Sequence, residues 1–429
     1  MTKAMTPQPP STLFRPLALP CGAALKNRIA KAAMSDSLGN GRGDPTPAQI
    51  RLYDRWAQGG AALSIVGEVQ GDPDFAEKPG NLVLHGESDP EPFRALARAG
   101  ATDGAQLWLQ LGHAGAMAHP PIGTPMGPSA LDLPGLRCAA LDPGDIHALP
   151  GRFAQTARRA QALGFGGVQI HAAHGFLLSQ FLSPLFNKRT DGYGGSITGR
   201  MRLVLEVVAA VRRAVGPGFP VGIKLNATDQ LEGGLDGDDA LAVVAALDAT
   251  GVDLIDISGG TYFPGARSSS DAAGRGPYFL DFARRARGVT RKPLMLTGGF
   301  KTRAQAEAAV AEGAADMVGL ARALALDPAL PRAWQAGGQD SPVFPSFEAP
   351  PEGAVTAWYT MRLTTLGTDR AAEEAPDVAA ALRAYDARDA GRVAAWKGRY
   401  RRESGPEAVA HGQGGGTVHP AVAQDRRRR

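Results

Sequence analysis

A chain of 429 residues is long enough for a large buried core, and its 46 basic against 42 acidic residues leave a net charge of only +4. The four arginines Arg426 to Arg429 carry that whole excess, so the calculated pI of 9.1 is poor evidence for a nucleic-acid partner. Cys21 and Cys138 stand too few and too far apart for a disulfide framework or a cysteine-ligated cluster, and no run approaches the roughly 20 apolar residues of a membrane span. The opening MTKAMTPQPPST lacks the apolar centre of a signal peptide, so the expectation is a cytoplasmic protein with a small-molecule substrate, no membrane or nucleic-acid partner, and room for homo-oligomers.

Residues 1–12 read as disordered, and LFRPLALPCGAALKNR (13–28) reads as a hairpin able to plug the base of a barrel. The first strand is Ile29 to Met34. A helix follows, with Thr46 as N-cap, Pro47 as first residue and Gly59-Gly60 as its stop. Leu63 to Val69 gives a second strand, Glu91 to Gly100 a helix, and Ala105 to Leu111 a third strand. Residues 112–144 hold Gly, Pro and His without a clear period, and long excursions of this kind usually serve function. Ile146 to Gly164 is helical, Gly166 to His171 is the fourth strand, and Ile197 to Gly216 is again helical.

The alternation continues with strands at Pro220 to Asn226, Val252 to Ser258, Pro293 to Thr297 and Asp316 to Leu320, and with helices at Asp238 to Gly251, Pro277 to Val289 and Thr302 to Gly313. Eight strands alternating with helices predict a (β/α)8 TIM barrel over 13–338, with the N-terminal hairpin beneath it. A doubly wound sheet is disfavoured because no GxGxxG follows the first strand. Residues 339–402 are helix-rich and read as a C-terminal appendage, and 403–429 read as a disordered Gly- and Arg-rich tail.

In a barrel of this kind the chemistry sits at the C-terminal ends of the strands. Those ends place Met34 and Ser35, Glu68 and Val69, Gln110, His171 with His174, Lys224 with Asn226, Ser258, Gly298 with Gly299, and Arg322 on one face. The Gly-Gly after strand seven and Arg322 after strand eight stand where barrels bind phosphate through backbone N–H groups. Two histidines three apart suit either a donor pair for a substrate oxygen or, with His113, a zinc site.

The segments LKNRIAKAAMSD (25–36), QLGHAG (110–115), HAAHGFLLSQFLSPLFNKRTDGYGGS (171–196), TGGF (297–300) and ADMVGLARAL (315–324), in this order, resemble the old yellow enzyme family over about residues 13–335. The resemblance implies an FMN reduced by NADH or NADPH, which passes hydride to an activated alkene or related electrophile. It implies that Ala33, Met34, Ser35, Val69 and Gln110 contact the flavin, and that Lys224 supplies the positive charge where the family usually has an arginine. Gly298, Gly299, Ala321 and Arg322 would hold the phosphate, with Ala321 replacing a usual glycine. His171 and His174 become the clamp on the substrate oxygen. Phe176 stands where many members carry the tyrosine that donates a proton, and Tyr262 is the nearest substitute in the sequence. Glu68 reads as a buried partner of Lys224 or Arg28, or as a plain strand-end acid, Trp108 reads as core, and Arg189 and Tyr193 read as supports of their loop. The competing functions are a metal-dependent barrel hydrolase and a flavin-binding barrel with little or no ene-reductase activity.

Overall fold

A computed structural model describes residues 11–263, 276–370 and 377–401. Eight parallel strands close into a barrel: β1 (Ile29–Met34), β2 (Leu63–Gln70), β3 (Gln106–Gly112), β4 (Gly167–Ala172), β5 (Val221–Asn226), β6 (Leu254–Ser258), β7 (Leu294–Thr297) and β8 (Met317–Leu320). Each pairs with its neighbours in sequence, and β8 returns to β1, where Val318 registers with Ile29. The chain is a (β/α)8 TIM barrel. Among the described residues an outer helix lies between each strand and the next: α1 (Pro47–Gln58), α2 (Pro90–Gly100), α3 (Pro143–Ala162), α4 (Arg202–Val215), α5 (Gly237–Asp248), α6 (Leu280–Arg287) and α7 (Arg303–Ala311), and the short helices Arg322–Leu326 and Leu330–Gln335 follow β8. Local chemistry starts them as the sequence implies. Thr46 caps α1 through the Gln49 amide (3.3 Å) with Pro47 in the first turn, and Thr302 with Gln305 forms a capping box on α7.

The base of the barrel is filled by Ala30, Leu63, Ile65, Trp108, Leu254, Met295 and Met317, and is stoppered by Leu17, Leu19 and Leu25 of the hairpin Leu17–Ala18/Ala24–Leu25. Trp108 is fully buried core, and two glycines make its room: a Cβ on Gly167 would lie 2.6 Å from the indole, and one on Gly222 3.0 Å. This stopper leaves the opposite end, where the strands terminate, as the open mouth.

The chain outside the barrel wall falls into three parts. The excursion after β3 is ordered, with a 3₁₀ turn (Gly115–Met117) and a small sheet whose hairpin Leu131–Leu133/Leu136–Ala140 turns at Pro134-Gly135. Its strands are too short for an alternating pattern to register in the sequence. Of the two termini expected to be disordered, 1–10 and 403–429 lie outside the described residues, while Ser11 caps a 3₁₀ turn at Thr12–Phe14. Beyond the barrel stand α8 (Ala354–Gly367) and α9 (Val378–Tyr400). Helix α8 packs on α1, and α9 reaches the mouth: Trp396 is buried with Ala76, Val83 and Ile122, Arg392 donates to the Ser37 carbonyl (2.7 Å), and the Tyr400 hydroxyl donates to the Arg42 carbonyl (2.7 Å).

One lysine is built into the barrel wall. Lys31 on β1 points outward under α1, fully buried, its Nζ 3.3 Å from the Ile65 carbonyl and 4.4 Å from the Trp56 ring centroid. Burial pulls its ammonium down to about 7; Asp36 opposes that shift and Lys224 adds to it. Because the folded value lies below the unfolded one, the cost of carrying this charge is present in full below about pH 7 and fades toward the ordinary lysine range. Lys31→Met is expected to raise stability by about 1–3 kcal/mol at pH 6 and by much less at pH 10, measured as denaturant midpoints. An equal gain at both values would show that the charge costs nothing in the wall.

Candidate active site

The floor of the mouth is a polar layer spanning five strands. Lys224 on β5 and Asp256 on β6 are neighbours in register, both sealed from water, with Nζ and Oδ2 2.5 Å apart. Asp256 also accepts from Gln169 Nε2 on β4 (2.9 Å) and from the Thr297 hydroxyl on β7 (2.6 Å), and Gln169 Oε1 accepts from Gln110 Nε2 on β3 (2.8 Å). The Lys224 approach is an ion pair outside hydrogen-bond alignment, and Lys224 also lines the cavity above the floor. Glu68 is not its partner, nor that of Arg28, whose Nη1 donates to the Asp316 carbonyl (2.9 Å). The strand register instead sets Asp256 beside Lys224 and turns Glu68 toward His171.

Above this floor lies a cavity of about 640 Å³. Of the residues expected to hold a flavin, Ala33, Met34, Lys224, Gly298, Gly299, Ala321 and Arg322 line it. Gln110 sits in the layer beneath, and Val69 faces a separate crevice against α3. Ser35 is half-buried, with a hydroxyl that no group in the described residues reaches. One lobe is built for close approach to backbone. Gly298 and Gly299 have φ of +117° and +83°, a Cβ on Gly299 would fall 1.9 Å from the Gly276 carbonyl oxygen, and one on Gly319 would fall 2.2 Å from the Thr297 hydroxyl. Arg322 lies over the Tyr359 ring (5.1 Å), which brings α8 to the edge of that lobe. A lysine cation in the floor, a glycine-lined lobe that side chains would fill and an arginine at its edge form a set of groups that fits FMN.

The two histidines meet each other before they meet the cavity. His171 Nε2 lies 3.1 Å from His174 Nδ1, His174 Nε2 lies 2.9 Å from the Ser258 hydroxyl, and Glu68 Oε1 lies 3.2 Å from His171 Nδ1. His174 lines the cavity and His171 stands behind it, so the pair is arranged in series; as placed, the two rings do not converge on one point. His174 occupies the left-handed region (φ +62°), held by its amide on Asn226 Oδ1 (3.0 Å) and its carbonyl on the Tyr262 amide (3.1 Å). Burial holds both imidazoles neutral: His171 is pulled down to about 3, with Lys224 adding to the shift, and His174 well below its ordinary range.

Phe176 is off the cavity wall, 1% exposed among Ala114, Met117 and Ala118, with its ring centroid 4.9 Å from that of His171. Tyr262 projects into the cavity, 56% exposed, with its ring 5.6 Å from that of His174. His113 stacks on Phe75 (3.9 Å) and accepts from the Gly115 amide, so it does not join the pair as a third metal ligand. Among the described residues no three His, Cys, Asp or Glu side chains are disposed to hold a metal. Support comes from the loop after β4: Arg189 donates to the Pro128 and Leu141 carbonyls (3.0 Å each), and the Tyr193 hydroxyl donates to Glu206 (2.9 Å). Gln169 and Asp256 carry no role in the sequence reading and Thr297 enters it only within TGGF; the usable signal was polar residues at inward positions of otherwise apolar strands.

A closed barrel with a glycine-lined lobe after β7 and a charged, hydrogen-bonded floor defines a flavin-binding type of TIM barrel. Residues 12–340 match the NADH:flavin oxidoreductase / NADH oxidase family, and the chain belongs to it. It is 37% identical over 354 residues to the NADH-dependent flavin oxidoreductase iliE of Neonectria sp. (strain DH2), covering 74% of this chain and 46% of that one. It is 33% identical over 350 residues to the protein of the same name from Hypocrea jecorina (strain QM6a), covering 74% of this chain and 87% of that one. The chain therefore spans less than half of the first relative and most of the second. The solved structure of morphinone reductase superposes with a TM-score of 0.68 at 27% identity, over 79% of this chain and 93% of that one. Among the described residues, no helix is long and apolar enough to cross a membrane.

Lys224→Met keeps volume but leaves Asp256 buried without its cation. It is expected to cost about 3–5 kcal/mol in denaturant unfolding and to weaken retention of FMN on gel filtration. An unchanged midpoint would show that the pair does not organise the floor.

Proposed function

We propose that the chain is an FMN-dependent oxidoreductase that draws hydride from NADH or NADPH and delivers it to a small alkene activated by a carbonyl or nitro group. When bound, FMN supplies the two-electron store that links the two substrates. Lys224 would supply positive charge to the flavin, and Gly298, Gly299, Ala321 and Arg322 would hold its phosphate through backbone and guanidinium N–H groups. The relatives' names support NADH as the reductant.

The observation that carries the choice of acceptor is the neutral imidazole of His174 on the cavity wall, whose Nε2 lies 2.9 Å from the Ser258 hydroxyl while His171 holds its Nδ1. A pre-aimed N–H donor in a site shielded from water polarises an acceptor oxygen and draws electron density from the carbon that takes hydride. His171 acts through His174, fixing its ring and tautomer. The Tyr262 phenol is a second donor on the same wall. Phe176 does not weaken this reading. Its ring lies behind the pair, so its lack of a hydroxyl removes nothing from the cavity wall.

A steady-state panel tests the proposal: enones and nitroalkenes are turned over and saturated ketones are not. His174→Ala is expected to lower enone kcat/KM by about 100-fold or more. Full enone turnover in that variant, or equal turnover of saturated ketones, would contradict the assignment.

A further inference from the structure

Behind His174 runs a chain of polar groups longer than polarisation needs. We propose that Glu68, His171 and His174 form a proton relay that carries a proton from the Glu68 carboxyl to the oxygen of the acceptor. This rests on the alkene-reduction reading above and supplies the proton for which Phe176 has no hydroxyl. The spacings set the path: Glu68 Oε1 to His171 Nδ1, 3.2 Å; His171 Nε2 to His174 Nδ1, 3.1 Å; His174 Nε2 to the Ser258 hydroxyl on the cavity wall, 2.9 Å. The first contact lies outside hydrogen-bond alignment, and the relay requires the Glu68 carboxyl to turn into line with His171 Nδ1.

Three further observations support it. First, Glu68 sits at a bulge, where the register of β2 against β3 shifts between Val66 and Val69 and its own φ is +62°. A side chain held in the left-handed region costs energy, and bulges beside active sites redirect side chains. Second, the surroundings favour the protonated acid. Burial raises Glu68 to about 8, opposed by Lys78. Around it stand Gln70 on the same strand (Nε2 to Oε2, 3.4 Å), Glu77 and Lys78 paired with each other in the following loop (3.5 Å), Tyr262 after β6, and His171 on β4, its one ion-pair contact among the described residues. Third, the Phe176 ring packs on His171 and shields the middle of the path from water.

The step balances with both imidazoles neutral throughout. Each histidine starts with its proton on Nε2. As hydride adds to the β-carbon and negative charge gathers on the acceptor oxygen, that oxygen takes the place of Ser258 at His174 Nε2. The His174 Nε2–H bond breaks and the acceptor O–H bond forms; the His171 Nε2–H bond breaks and the His174 Nδ1–H bond forms; the Glu68 O–H bond breaks and the His171 Nδ1–H bond forms. The products are an enol, which becomes the saturated ketone in water, and a Glu68 carboxylate; once the enol leaves, a solvent proton taken up at His174 Nε2 drives the path in reverse, returning the His174 Nδ1 proton to His171 Nε2 and the His171 Nδ1 proton to Glu68. Glu68 is a positioning residue that holds a proton and acts through the histidines.

The test compares wild type with Glu68→Gln, which keeps the shape and cannot release the proton. In the infrared, wild type at pH 7 shows a protonated-carboxyl band that Glu68→Gln lacks, and absence of that band in wild type overturns the relay. Enone kcat of wild type declines as pH rises through about 8, because the proton is lost, while Glu68→Gln is slower by about 100-fold with no alkaline limb. Reduction of 2-methylcyclohexenone in heavy water gives deuterium at the α-carbon without facial preference; a single face means direct donation to carbon and overturns the proposal. If Glu68→Gln does not fold, Glu68→Asp, which shortens the reach to His171, is read by the same pH profile, and an unaltered profile counts against the relay. If wild type reduces no enone, the functional reading fails, and the infrared band still decides whether Glu68 holds the proton.

Discussion

Burying Lys224 against Asp256 removes two ions from water, and the cost is offset only when the remaining polar atoms are satisfied. Asp256 meets that condition through Gln169 and Thr297, and Gln169 through Gln110, so residues from five strands are tied into one layer. The layer divides the barrel interior. Below it the packing is apolar, centred on Trp108 and closed by the hairpin leucines; above it the strand ends open into the cavity. Breaking one member leaves a buried group without a partner, which makes the floor rigid in a way that an apolar layer would not be.

That division explains how far the sequence could be read. The strands and helices were legible because apolar periodicity and capping residues such as Thr46 and Thr302 are local signals. The chemistry at the mouth was partly legible because it lies at strand ends in compact motifs: His171 and His174, Gly298 and Gly299, Ala321 and Arg322. What escaped depends on register between strands far apart in sequence. Asp256 becomes the partner of Lys224 only because β5 and β6 pair there, and Glu68 turns toward His171 only because β2 bulges. The small sheet after β3 escaped because its strands are too short to show a period.

The site also shows how one position changes meaning with context. By motif, Phe176 marks a lost proton donor. In three dimensions it is a buried ring behind a histidine pair, and the groups that face the cavity are His174, Ser258 and Tyr262. Helices α8 and α9, which extend past the barrel, reach the same mouth through Tyr359 against Arg322 and through Arg392 on the β1 loop. The lobe and the approach to it are thus shaped by these C-terminal helices as well as by the barrel's own loops.

The central claim, that this cavity passes hydride from a nicotinamide to an activated alkene through FMN, is tested most directly by the visible spectrum of the purified protein under anaerobic conditions. The account predicts an oxidised flavin spectrum that bleaches on addition of NADH or NADPH and returns on addition of cyclohexenone. A flavin that neither nucleotide bleaches, or that stays bleached in the presence of the enone, would contradict it.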